Sequence, residues 1–152
     1  LHFGRQHPTG GRMPLVIHSQ PNRIGLTSRQ TLLLIVAGAS LWFVAAVLLR
    51  IIAPMGALEG TMRGVSYALV IPGTYPFVLL TKWLVALRDD QMAMGIAVAT
   101  TTALLIDGIV VAWFPWIYGG HLPQVTHCAA IILWGAGVAL LLGFFMNKGE
   151  YK

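Results

Sequence analysis

Residues 91–117 read QMAMGIAVATTTALLIDGIVVAWFPWI, an apolar run with no Lys or Arg and a single acid, Asp107. The run is longer than the roughly 20 residues a helix needs to cross a hydrocarbon core of about 30 Å. It has no alternation of polar and apolar residues, so it does not read as a barrel strand. A helix that is apolar all round belongs in a bilayer or in the core of a large protein. A chain of 152 residues has no core large enough to hide it.

Working outward, three more runs of the same kind appear. Residues 30–54 end where Pro54 and Gly56 stop a helix, and Thr27 and Ser28 are suitable N-caps for it. Residues 64–87 carry Pro72 and Pro76 inside the run. Residues 125–146 close at Asn147 and Gly149, and the acidic pair Asp89–Asp90 suits the start of residues 91–117. The expected fold is all-α: an integral membrane bundle of four transmembrane helices with up-down topology, consecutive helices lying side by side. A polar basic arm (residues 1–29) precedes it and a short tail (148–152) follows.

Composition agrees. Hydrophobic residues make up 57% and charged residues 10%, against roughly 45–50% and 25% in soluble domains, which excludes a water-soluble globule. The net charge of +5 does not imply nucleic acid, because the basic residues form no patch with interleaved aromatics. Arg5, Arg12, Arg23, Arg29, Lys82, Arg88, Lys148 and Lys152 all fall on one side of four alternating spans; Arg50 and Arg63 fall on the other. The positive-inside rule then expects both termini in the cytoplasm. Trp83 on the inner side and Trp113, Trp116 and Tyr118 on the outer side read as interfacial aromatic anchors. Cys128 has no thiol partner and reads as a small apolar filler. The first residue is Leu1, so the start is either processed or read from upstream, with Met13 a candidate initiator, and residues 1–29 lack the apolar core of a signal peptide.

A carboxylate exposed to lipid near mid-membrane would cost roughly 2.5–3.5 kcal/mol on insertion scales. Gly95, Ala99, Ala103 and Asp107 recur every four residues, a stripe of small side chains that invites close helix packing and turns Asp107 toward protein. Depth suggests a partner. Asp107 lies about 24 Å, and Arg50 about 30 Å, from the starts of their spans, so a buried Asp107–Arg50 ion pair is expected, with Arg63 in reserve. Gly38 and Ala46, either side of Trp42, would let the first span lie against the third. Lys82, about 9 Å from the inner end of its span, should reach toward the inner surface.

Pro72, Gly73 and Pro76 form a proline–glycine–proline kink; where such a helix breaks at mid-membrane, freed carbonyls can bind ions or substrate. Gly135, Ala139 and Gly143 make a second close-packing face on the fourth span. His121 and His127 read as polar residues at the outer surface; neither has the companions a metal or haem site needs. No nucleophile, zinc or phosphate-loop motif is present, so no catalysis is expected.

The segments Leu105-Ile106-Asp107-Gly108, Trp113-Phe114-Pro115 to Tyr118-Gly119, and Trp134-Gly135-Ala136-Gly137 resemble a bacterial group of small four-span membrane proteins classed as a domain of unknown function. In that group a similar L-x-D-G…F-P…Y-G pattern lies in the third span and W-G-x-G in the fourth. The resemblance covers about residues 30–147 and implies the four-span fold, with no assigned activity. The expected role is a non-catalytic accessory or assembly subunit of a larger membrane complex, such as a respiratory or photosynthetic one. Arg5, Arg12 and Arg23 of the arm would dock on the partner subunits. No cofactor is expected on the chain itself, beyond a bound lipid or a partner's pigment. The alternative is a small-solute or proton transporter using the Pro72–Pro76 kink and Asp107.

Overall fold

In a computed structural model, residues 25–148 are described. They form four long helices: α1 (Ser28–Ile52), α2 (Gly60–Val85), α3 (Met92–Trp113) and α4 (Leu122–Phe145). Short 3-10 turns at Ala53–Met55, Asp89–Gln91 and Pro115–Tyr118 lie in the three connections. All four helices are long and apolar enough to cross a membrane. Large apolar side chains face outward along them, among them Phe43 at 62% exposure, Leu105 at 66% and Leu133 at 65%. In water such a surface would be an aggregation hazard; in lipid it is the solvent-matched face. The chain is an integral membrane protein of the expected fold class. Arg5, Arg12 and Arg23, the arm residues expected to dock on partners, lie outside the described residues.

Local chemistry sets the helix ends. Thr27 and Gln30 form a reciprocal capping box at the start of α1, Thr27 Oγ1 accepting from Gln30 N at 3.2 Å and Gln30 Oε1 from Thr27 N at 3.0 Å. α3 stops at Phe114 because Pro115 has no N–H to continue the ladder and disfavours the helical conformation before it. Phe114 accordingly sits at φ −130°, ψ 46°. At the end where chain entry and exit meet, Asn147 Oδ1 accepts from Ala93 N at 3.1 Å, tying the end of α4 to the start of α3. Buried Gln91 joins the same end: Gln30 Nε2 donates to its Oε1 at 3.3 Å, and its Nε2 donates to Gly25 O at 3.1 Å.

The helices alternate in direction, as expected, but of the consecutive pairs only α3 and α4 pack closely side by side. α1 packs chiefly on α3, α3 on α4, and α4 on α2; α1 and α2 touch much less, as do α2 and α3. Small residues account for this order. A Cβ placed on Gly38 would overlap the carbonyl oxygen of Ala99 and lie 3.1 Å from its Cα, so α1 and α3 meet backbone to backbone. A Cβ on Gly143 would lie 2.8 Å from Ile96 Cβ, between α4 and α3. Gly135 faces Val70 across α4 and α2 at an ordinary 3.5 Å. Gly95 receives the Leu87 side chain from the connection before α3. Without a hydrophobic drive between helices in lipid, close van der Waals approach decides who packs on whom, and here it outweighs loop proximity.

Two buried clusters result. One centres on Leu34, Val78, Met92 and Ile96 at the end where α1 starts and α4 stops, the other on Leu49, Val110, Tyr118 and Cys128 at the opposite end. Cys128 is fully buried, as its filler role requires.

Candidate functional site

α1 and α2 touch little, and between them lies a cleft of about 490 Å³, within the roughly 300–1,000 Å³ of small-molecule sites. α1 contributes Trp42, Ala45 and Leu48; α2 contributes Val70, Gly73 and Phe77; α3 and α4 close the back with Ala99, Ala103, Asp107 and Gly135. Most of the lining is aliphatic or aromatic. The small-residue stripes expected only as helix contacts therefore have a second use: Ala99, Ala103, Gly135 and Ala139 also form the wall of this cleft.

Asp107 is the cleft's acid, 8% exposed. Its partners are not those expected. Trp42 Nε1 donates to Asp107 Oδ1 at 2.9 Å, and the Tyr118 hydroxyl donates to the same oxygen. Arg50 instead donates from Nη1 to the carbonyls of Trp116 and Ile117, at 2.7 and 3.2 Å. The reserve, Arg63, donates to Leu58 O at 3.0 Å and lies 3.0 Å from His127 Nε2. The expected Asp107–Arg50 ion pair is thus replaced by a neutral-donor cage. The described ion pairs, Lys82–Asp89 at 2.6 Å and Arg88–Asp90 at 2.7 Å, both lie at the end where α2 stops and α3 starts.

Depth and loop geometry explain the exchange. α1 and α3 run parallel, and Trp42 is about 21 Å past Ser28 while Asp107 is about 22 Å past Met92. Arg50, two turns farther on, overshoots the acid and meets the loop. Tyr118 arrives from the 3-10 turn Pro115–Tyr118, which folds back over the bundle. Gly119, at φ +106°, then turns the chain into α4, a conformation few side chains tolerate. Tyr118 is fully buried, so it is not an interfacial anchor. Trp83, Trp113 and Trp116 are exposed at 80%, 68% and 58%, as anchors should be.

The cage uses one carboxyl oxygen only. Asp107 Oδ2 makes no hydrogen bond among the described residues. It is not sealed in either, since the only fully enclosed side-chain polar atom without a partner among them is Gln124 Nε2. Ser66, Thr74 and Thr81 also line the cleft, but their hydroxyls donate to the carbonyls of Ala57, Val70 and Phe77 at 2.7, 2.7 and 2.9 Å. Thr100, two turns from Asp107 on α3, lines the cleft without such a bond.

The proline–glycine–proline segment does not break α2, which runs uninterrupted from Gly60 to Val85. The i−4 rule leaves Ala68 O and Pro72 O without helical donors. Just beside them, Trp134 Nε1 of α4 donates to Tyr67 O at 3.1 Å, and the two rings lie 5.9 Å apart. Pro72, Gly73 and Pro76 are exposed, and Gly73 faces the cleft. No group of three or more His, Cys, Asp or Glu that could hold a metal occurs among the described residues. Comparison with protein-family models, curated proteins and solved structures finds no match to this chain.

Proposed function

We propose that this protein is a non-catalytic membrane component that works by binding: it holds an apolar guest in the cleft between α1 and α2, as an accessory subunit of a larger membrane assembly. The cleft carries this reading. It is a preformed concavity at bilayer depth, walled by apolar side chains, with one acid held rigidly at its edge. Sites of this type bind lipid-like molecules through apolar contact and orient them through a few polar groups. The assembly role draws on the basic residues of the arm and on the outward-facing apolar helix surfaces. The charge asymmetry supports both termini lying in the cytoplasm of a bacterial inner membrane, and the resemblance in residues 105–108 and 134–137 fits that setting.

The test is to purify the full chain in mild detergent and to analyse by native mass spectrometry what accompanies it. An apolar guest at about one per chain is expected, along with partner subunits. A Cβ on Gly73 meets nothing within 4 Å, so Gly73→Phe should fill the cleft and expel the guest while leaving the bundle intact. Removing residues 1–26 should release the partners without unfolding the bundle. A lone, guest-free species overturns the reading. The transport alternative is favoured by the free oxygen of Asp107 in the cleft; solute or proton flux in liposomes that stops in Asp107→Asn would put it first.

A further inference from the structure

At the Asp107 end the polar equipment of the cleft is one-sided; the hydroxyl left without a bond, Thr100, lies two turns away on α3. The Asp107 end offers a hydrogen-bond acceptor, Asp107 Oδ2, on a carboxyl group that Trp42 and Tyr118 hold in place by the other oxygen. The donors of Ser66, Thr74 and Thr81 are spent on their own backbone neighbourhood. From Asp107 the wall continues along α3 to Ile96, about 16 Å of helix, past Ala103 and Ala99. A fitting guest therefore has a single donor at one end and an extended apolar body.

Resting on the binding reading above, the geometry points to a neutral single-chain amphiphile with a hydroxyl head. Its hydroxyl donates to Asp107 Oδ2, and its chain lies along the α3 wall toward Ile96. Acceptor-only heads such as esters and ketones would set lone pair against lone pair. An ammonium head would bring three donors to one free acceptor and leave two of them unpaired in an apolar cleft. A hydroxyl matches the acceptor one to one. The cleft's volume of about 490 Å³ accommodates one such chain, at on the order of 30 Å³ for each group the size of a water molecule.

The experiment uses the full chain in detergent, with 1-tetradecanol and methyl dodecanoate as competing probes and native mass spectrometry as readout. Wild type should prefer 1-tetradecanol by about 10-fold or more, the scale of a hydrogen bond to a charged acceptor. Asp107→Asn keeps an oxygen for Trp42 and Tyr118 but presents an amide donor to the cleft, so the preference should vanish or reverse toward the ester. Thr100→Val should leave the wild-type preference intact. Equal binding of both probes by wild type overturns the hydroxyl assignment while leaving the cleft reading standing, as does a preference that follows Thr100 instead of Asp107. Binding of either probe that is unchanged in Gly73→Phe overturns the cleft reading itself.

Discussion

Trp42 and Asp107 stand at the same depth on two parallel helices, and the indole Nε1 meets the carboxyl Oδ1 at 2.9 Å. Tyr118, entering from the loop after α3, adds a second donor to that oxygen. The acid is therefore satisfied without a cation, and what it does for stability follows from its acceptor and not from its charge.

Asp107→Ala leaves the buried Tyr118 hydroxyl and the Trp42 indole without their acceptor. Each unsatisfied group costs about 1–3 kcal/mol, so a large fall in the detergent melting temperature is expected. Asp107→Asn retains the accepting oxygen and should lose clearly less. Thermal melts of both variants check the order; equal losses would argue that charge, and not the acceptor, matters.

Arg50 holds loop carbonyls, not the acid. Arg50→Met should lower stability by no more than about 1 kcal/mol, the scale of one net hydrogen bond, and speed hydrogen exchange in residues 115–120. A double-mutant cycle of Arg50→Met with Asp107→Asn should give a coupling near zero. A direct ion pair would couple by roughly 0.5–3 kcal/mol.

Gly38 and Gly73 should respond oppositely to alanine. Gly38→Ala forces a methyl into Ala99 backbone, and overpacking of this kind costs about 1–3 kcal/mol. Because the clash is with backbone, Ala99→Gly should not relieve it. Gly73→Ala meets open space and should be neutral or stabilising by up to about 1 kcal/mol. Melting temperatures of the three variants decide.

Pro72→Ala restores a backbone donor for Ala68 O inside a helix that is already continuous. The expected result is an unchanged or higher melting temperature with an unchanged elution volume. A drop would show that the proline itself shapes the bundle.

The run to residue 117 was read straight through the stop at Phe114–Pro115, whereas four membrane-crossing helices, the stop at Pro54, the cap at Thr27 and the inward turn of Asp107 were all written in the order of the residues. Each depends on properties that act within one segment: hydropathy, missing donors, capping side chains and four-residue spacing. The neighbour order α1–α3–α4–α2, the cleft left between α1 and α2, and the partners of Asp107 were settled only in three dimensions. Gly38 was legible as a contact residue, but its meeting with the backbone of Ala99 was not, because rotation of one helix about its axis relative to another leaves no trace in spacing along either. Counting depth for every polar residue, and not for charged ones alone, would have reached Trp42 before Arg50. No ruler along a helix could have found Tyr118, whose place is set by a loop that turns back at Gly119 and drives a side chain expected at the membrane surface into the core.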